Sequence, residues 1–143
     1  MTTTDIQKEI VEEFSLFENK NDKYNYIIEM GKGLDALSED HKVDKNLIKG
    51  CQSRVWLHPE LEEGKIRYEV DSDALIVRGI VGLLVRILSN QKPEDIVNTE
   101  LFFIKDIGLD QMLSMNRSNG LAAMVKQMKL YALAYRAKME EAN

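Results

Sequence analysis

Apolar residues recur at Ile6, Ile10, Val11, Phe14 and Phe17 in "TDIQKEIVEEFSLF", the spacing of one helical face, and Thr4 with Gln7 has the separation of a capping box. A first helix is predicted there. A second stripe runs through Tyr24, Ile27, Ile28 and Leu34 of "DKYNYIIEMGKGL" and fades where Gly31 and Gly33 lower helical propensity. The polar segment "SEDHKVDKN" then reads as loop. Beyond it the period changes. "RVWLHPEL" and "KIRYEV" are β-branched and aromatic runs separated by "EEG", which predicts a hairpin with Gly64 at positive φ and an edge strand or bulge at Pro59.

"DSDALIVRGIVGLLVRILSN" is apolar almost all round, which predicts the most buried helix, with Asp71, Ser72 and Asp73 as its cap and first turn. "KPEDIV" predicts a short helical turn with Pro93 at its first position; "TELFFIKDIGL" fits strand or helix. In "NRSNGLAAMVKQMKLYALAYRAKMEEAN" a long terminal helix presents Leu121, Met124, Val125, Met128, Tyr131 and Tyr135 on one face. The pattern implies an α+β fold, with helices packed on one face of a small antiparallel sheet, and 1–143 as a single domain.

Composition narrows the possible partners. A net charge of −5 argues against nucleic acid or an anionic membrane surface, both of which attract clustered basic residues. The polar, partly acidic start "MTTTDIQKEI" is unlike a signal peptide, and no apolar run reaches the roughly 18 residues of a membrane span. A single cysteine forms no internal disulfide, so the expected setting is the reducing cytoplasm.

That cysteine, Cys51 in "IKGCQSRVWL", is the candidate for chemistry. A free cysteine is most often a small buried hydrophobe. Its neighbours point further: Gly50 permits a tight bend, Gln52 and Ser53 are polar, and Arg54 brings a positive charge that favours a thiolate. His41, His58 and Cys51 lack metal-motif spacing, so no metal site is expected, and the histidines read as solvated loop and strand residues. A Cys-His hydrolase needs one of them as base, which spacing alone does not decide. Gly31, Gly33, Gly79 and Gly82 form no phosphate or dinucleotide motif and are better explained by helix ends and close helix packing. The methionines of the last helix read as core.

Three blocks carry a family resemblance. "GCQSRVW" resembles the GCQS-x-VW block of the SufE family, "DSDALIVRG" its DSDA-x-IV-basic-G segment, and "LSMNRSNGLAAM" its RSNG segment. "KYNYIIEMGKGL" is similar to the family's second helix, so the likeness covers nearly the whole chain in order. It departs in two places: Arg54 stands where many members have glutamine, and "HKVDKNLIKG" lacks a proline often found there.

The resemblance implies an α+β fold shared with IscU-type scaffolds and a sulfur acceptor with Cys51 on a loop leading into the sheet. Cys51 would take persulfide from a pyridoxal-phosphate cysteine desulfurase of the SufS kind, stimulate it, and pass the sulfur to an iron-sulfur scaffold complex. The carrier would hold no cofactor of its own, since pyridoxal phosphate belongs to the partner, and would act as a monomer or weak homodimer rather than as a stand-alone enzyme. Residue matching adds Asp73 and Arg117 as supporting positions, each open also to a local capping or ion-pair role. A lone thiol suits a carrier, because a second one nearby would release the sulfur as sulfide. Two alternatives remain: a thiol redox sensor, disfavoured by the absence of a resolving cysteine, and a non-chemical adaptor of the desulfurase. A shielded resting thiol is also expected, beneath Val55, Trp56, Leu57 and the last helix, on a loop anchored by Leu47 and Ile48.

Overall fold

The computed structural model describes residues 1–142 as helices α1 (Thr3–Phe14) and α2 (Lys20–Lys32), strands β1 (Val55–Glu62) and β2 (Lys65–Ser72), and helices α3 (Leu75–Leu88), α4 (Pro93–Asn98), α5 (Phe103–Asp106), α6 (Leu109–Met112) and α7 (Met115–Ala142). None of these helices is long and apolar enough to cross a membrane.

The capping box of α1 is Thr2 with Asp5, two residues earlier than Thr4 and Gln7: Asp5 N–H donates to Thr2 Oγ1, and Thr2 N–H to the Asp5 carboxylate. Phe17 lies past the end of α1, where its ring meets those of Phe14 and Tyr26. The "SEDHKVDKN" segment contains two single 3-10 turns, Glu39–His41 and Asp44–Asn46. Pro93 begins α4 as expected, and the ambiguous "TELFFIKDIGL" is helical in α5 and the start of α6.

β1 and β2 pair antiparallel from Val55↔Ser72 to Glu62↔Lys65 without a bulge. Glu63 and Gly64 both take positive φ, as a two-residue type I′ turn requires. Pro59 is accommodated because β1 is an edge strand of a two-stranded sheet. The outer edge of β2 does not end in open backbone: Asn90 N–H donates to the Ile66 carbonyl, and Ile66 N–H to that of Gln91.

Alternation sends Val55, Leu57, Ile66, Tyr68 and Val70 inward against α3, whose Ile80, Leu84, Ile87 and Leu88 are almost wholly buried. Each such side chain contributes about 1.5–3 kcal/mol of transfer free energy. The α2–α3 crossing is set by glycines. A Cβ on Gly79 would collide with the Ile27 carbonyl, and one on Gly31 with that of Leu75, so both helices approach backbone to backbone.

The Asp71–Asp73 segment departs from the sequence expectation. Rather than capping α3, Asp71 and Ser72 complete β2; the helix opens after Ala74, which makes no side-chain cap. The strand extends because Ser72 still pairs with Val55, and the three polar side chains turn to other partners.

Candidate functional site around Cys51

The chain reaches Cys51 through a closed loop. Ile48 N–H donates to the Val55 carbonyl over 2.9 Å, Leu47 bridges Trp56, and Ile48 is buried, so Lys49–Arg54 forms a tip with a fixed base. Gly50, at φ +90°, turns the tip where a side chain would be strained.

The other end is held by the segment expected to cap α3. Asp73 Oδ1 accepts the Arg54 N–H at 3.1 Å, Asp73 N–H donates to the Arg54 carbonyl at 3.3 Å, and the Ser72 hydroxyl donates to the same carbonyl at 2.7 Å. Asp71, beneath them, accepts from Leu37 N–H and Ser72 N–H and pairs with Arg78 and Lys42. Burial alone would raise its pKa, but those two N–H groups and the Arg78 and Lys42 charges more than offset this, leaving it below the usual carboxylate range.

Cys51 itself is half-buried, and its Sγ–H donates to the Gly120 carbonyl at 3.6 Å. Gly120 sits inside α7, and a Cβ there would touch Sγ, Cα and Cβ of Cys51. A cavity of about 20 Å³ adjoins the thiol, lined by Gln52, Ser53, Val55, Arg117 and Met124 among others. That volume admits about one water-sized group.

The electrostatics reverse one expectation. Burial pushes the Cys51 thiol up from its ordinary pKa, and Arg54, exposed at the surface, does not bring it down. In the free protein the thiol is neutral at pH 7. The charged group beside it is Arg117, whose Nη1 is buried with no hydrogen-bond partner among the described residues.

The structure therefore brings Cys51, Gln52, Ser53 and Arg117 to one cavity, while Gly50 shapes the loop and Asp73 acts on it through the Arg54 backbone. Val55 lines the same cavity as the thiol. Trp56 and Leu57 do not line the cavity: Trp56 faces the opposite side of the sheet, under Lys42. Neither histidine lines it, which leaves the Cys-His hydrolase without a base. His41 and His58 are not solvated singly but stacked on each other, with ring centroids 3.8 Å apart. Sequence reasoning does not single out Gly120; its signal is a glycine inside a helical stretch, where it costs about 1 kcal/mol relative to alanine.

Comparison with known proteins points to one family. The family described as "SufE: Fe-S metabolism associated domain" matches residues 8–132. An uncharacterized SufE-like protein of Synechocystis sp. is 36% identical over 126 residues, covering 88% of this chain and 79% of its own length. SufE-like proteins of Rhizobium etli and Rhizobium meliloti are 37% and 35% identical, covering 85% and 90% of this chain and 85% and 94% of their own. In fold, the chain is similar to a hypothetical protein from Thermus thermophilus whose solution structure superposes with a TM-score of 0.74 at 21% identity, covering 90% of this chain and 94% of the other. The resemblance carried by the three sequence blocks thus holds over most of the molecule: this chain belongs to the SufE family.

Proposed function

We propose that the chain is a sulfur acceptor: it takes persulfide from a pyridoxal-phosphate cysteine desulfurase onto Cys51, stimulates that enzyme, and delivers the sulfur for iron-sulfur cluster assembly. The observation that carries the reading is the setting of the sole thiol, held on a loop closed at both ends, beside a cavity of about 20 Å³ and an unpartnered Arg117 nitrogen. Membership of a family associated with Fe-S metabolism supplies the direction.

The transfer is a sulfur exchange without net redox change. The Cys51 thiolate attacks the outer sulfur of the partner's persulfide; a new S–S bond forms on Cys51 as the partner's S–S bond breaks. The partner leaves as a thiolate and takes up the equivalent of the proton that Cys51 gave up, so thiol plus persulfide becomes persulfide plus thiol. A neutral, half-buried thiol does not do this at rest. Docking must first draw the loop off Gly120, and the partner does so only to the extent that it binds the extruded form more tightly. After transfer, one added sulfur matches the small cavity, and the Arg117 guanidinium offers donors to the anionic persulfide.

The test is desulfurase turnover, measured as alanine formed from cysteine by a pyridoxal-phosphate desulfurase with and without this chain. Wild type raises turnover and Cys51→Ser, folded by circular dichroism, does not. Equal stimulation by the serine variant would make the chain an adaptor rather than a carrier.

A further inference from the structure

The outer face of the hairpin carries a second cluster, away from Cys51. His58 and Glu60 stand two apart on β1, and Glu69 lies opposite His58 on β2. His41 comes from the 3-10 turn folded over this face. The ligand atoms of His41, His58 and Glu60 all lie within 4.8 Å of one another. His58 Nε2 is 3.3 Å from Glu60 Oε1, and His41 Nδ1 is 3.6 Å from Glu69 Oε2. Donors around one tetrahedral zinc stand about 3.4 Å apart, given bonds of about 2.0–2.1 Å.

Arg67 gives the cluster the look of a built site. Its Nη2 holds Glu60 through Oε2 and its Nη1 holds Glu69 through Oε1 at 3.0 Å, so each carboxylate is pinned by one oxygen and turns the other to an imidazole. His41 Nδ1 is buried with no hydrogen-bond partner among the described residues, which leaves a ring nitrogen free for a ligand. Glu60, Glu62 and Glu69 against Arg67 and Lys65, which the register puts on the same face, leave one net negative charge beside the imidazoles.

We propose that His41, His58 and Glu60 bind one divalent transition-metal ion of the zinc class, with Glu69, 3.6 Å from His41 Nδ1, orienting that ring. Two imidazoles and a carboxylate suit such a cation better than magnesium or calcium, which take oxygen. The rings are stacked with their planes inclined by 17°, so binding both to one ion turns one ring out of the stack. The mover is His41, which rides on a turn, whereas His58 is fixed in a strand. His41 and Cys51 share the connection from α2 to β1, so the ion fastens that connection to the sheet. Sequence spacing does not reveal the site because its ligands meet only when a turn folds over a hairpin.

The experiment uses the full chain carrying Cys51→Ser, which removes the thiol as a competing ligand, stripped with chelator and titrated with Co²⁺ and then Zn²⁺. The expected result is one ion per chain, a visible Co²⁺ spectrum without thiolate charge-transfer absorption, displacement by Zn²⁺, and affinity lowered about tenfold or more by His41→Asn or His58→Gln. No saturable Co²⁺ spectrum, or affinity within about twofold of the parent in both variants, overturns the site. If a variant does not fold, NMR of the imidazole Cε1–H resonances of the Cys51→Ser parent decides: both shift to an end point at one Zn²⁺ per chain, or the proposal falls.

Discussion

The Gly120 carbonyl accepts the Cys51 Sγ–H at 3.6 Å, which ties the only thiol of the chain to the backbone of the terminal helix. A carbonyl favours the protonated thiol over the thiolate, in the same direction as the burial that raises its pKa. The resting molecule thus protects Cys51 by keeping it neutral as well as by covering it.

The first prediction concerns that protection. Iodoacetamide alkylates Cys51 in the folded protein more slowly than in the denatured chain, and the pH at half-maximal rate lies above the ~8.5 of a free thiol. Because the folded pKa is raised, this group's contribution to stability is present below the unfolded pKa and is lost as pH rises through the folded one. Equal rates and midpoints in the two states would mean an exposed, unperturbed thiol.

A second prediction concerns the base of the loop. Ile48 is its buried anchor, whereas Leu47 is half-buried, so Ile48→Ala destabilises by about 2–4 kcal/mol and speeds alkylation more than Leu47→Ala does. Rates are compared in conditions where near-UV circular dichroism shows both variants folded. A faster Leu47 variant would place the hinge elsewhere.

Arg117 is tested by single-turnover transfer from a persulfidated desulfurase. Loss of one charged hydrogen bond corresponds to about a tenfold lower rate in Arg117→Ala. Lysine restores only part, since it lacks the guanidinium's planar array of donors. An unchanged rate in Arg117→Ala would return the residue to a structural part in the first turn of α7.

Asp71 links the loop's supports to acid stability. Asp71→Asn leaves Arg78 and Lys42 without their shared carboxylate, and about 3–5 kcal/mol is lost at pH 7. Its depressed pKa means that this stabilisation is complete above the unfolded value of ~3.9 and disappears as pH falls through the folded one. Melting curves of parent and variant therefore converge below about pH 4. A gap that stays constant down to pH 2 would show that the charge is not what Asp71 contributes.

Local chemistry is legible in the sequence wherever one residue type decides a conformation. Gly64 announces its turn, Pro93 its helix start, and the largely apolar run of Ile76–Leu88, interrupted by Arg78 and Arg86, the central helix. Asp71–Asp73 mislead because acidic residues before an apolar run look like a cap, and only pairing with Val55 shows them to be strand and clamp. Of the site, Cys51 and the blocks around Asp73 and Arg117 are readable. Gly120's contact with the thiol and the stacking of His41 on His58 are not, since each joins segments far apart in the chain. The low pKa inferred from Arg54 fails for a related reason: sequence adjacency does not say which way a side chain points.

Intact-mass spectrometry after incubation with a pyridoxal-phosphate desulfurase and cysteine tests the sulfur-acceptor account most directly. The predicted result is a gain of one sulfur atom on the wild-type chain, removed by reductant and absent from Cys51→Ser. An unchanged mass alongside stimulated desulfurase turnover, or a sulfur gain that persists in the serine variant, would contradict it.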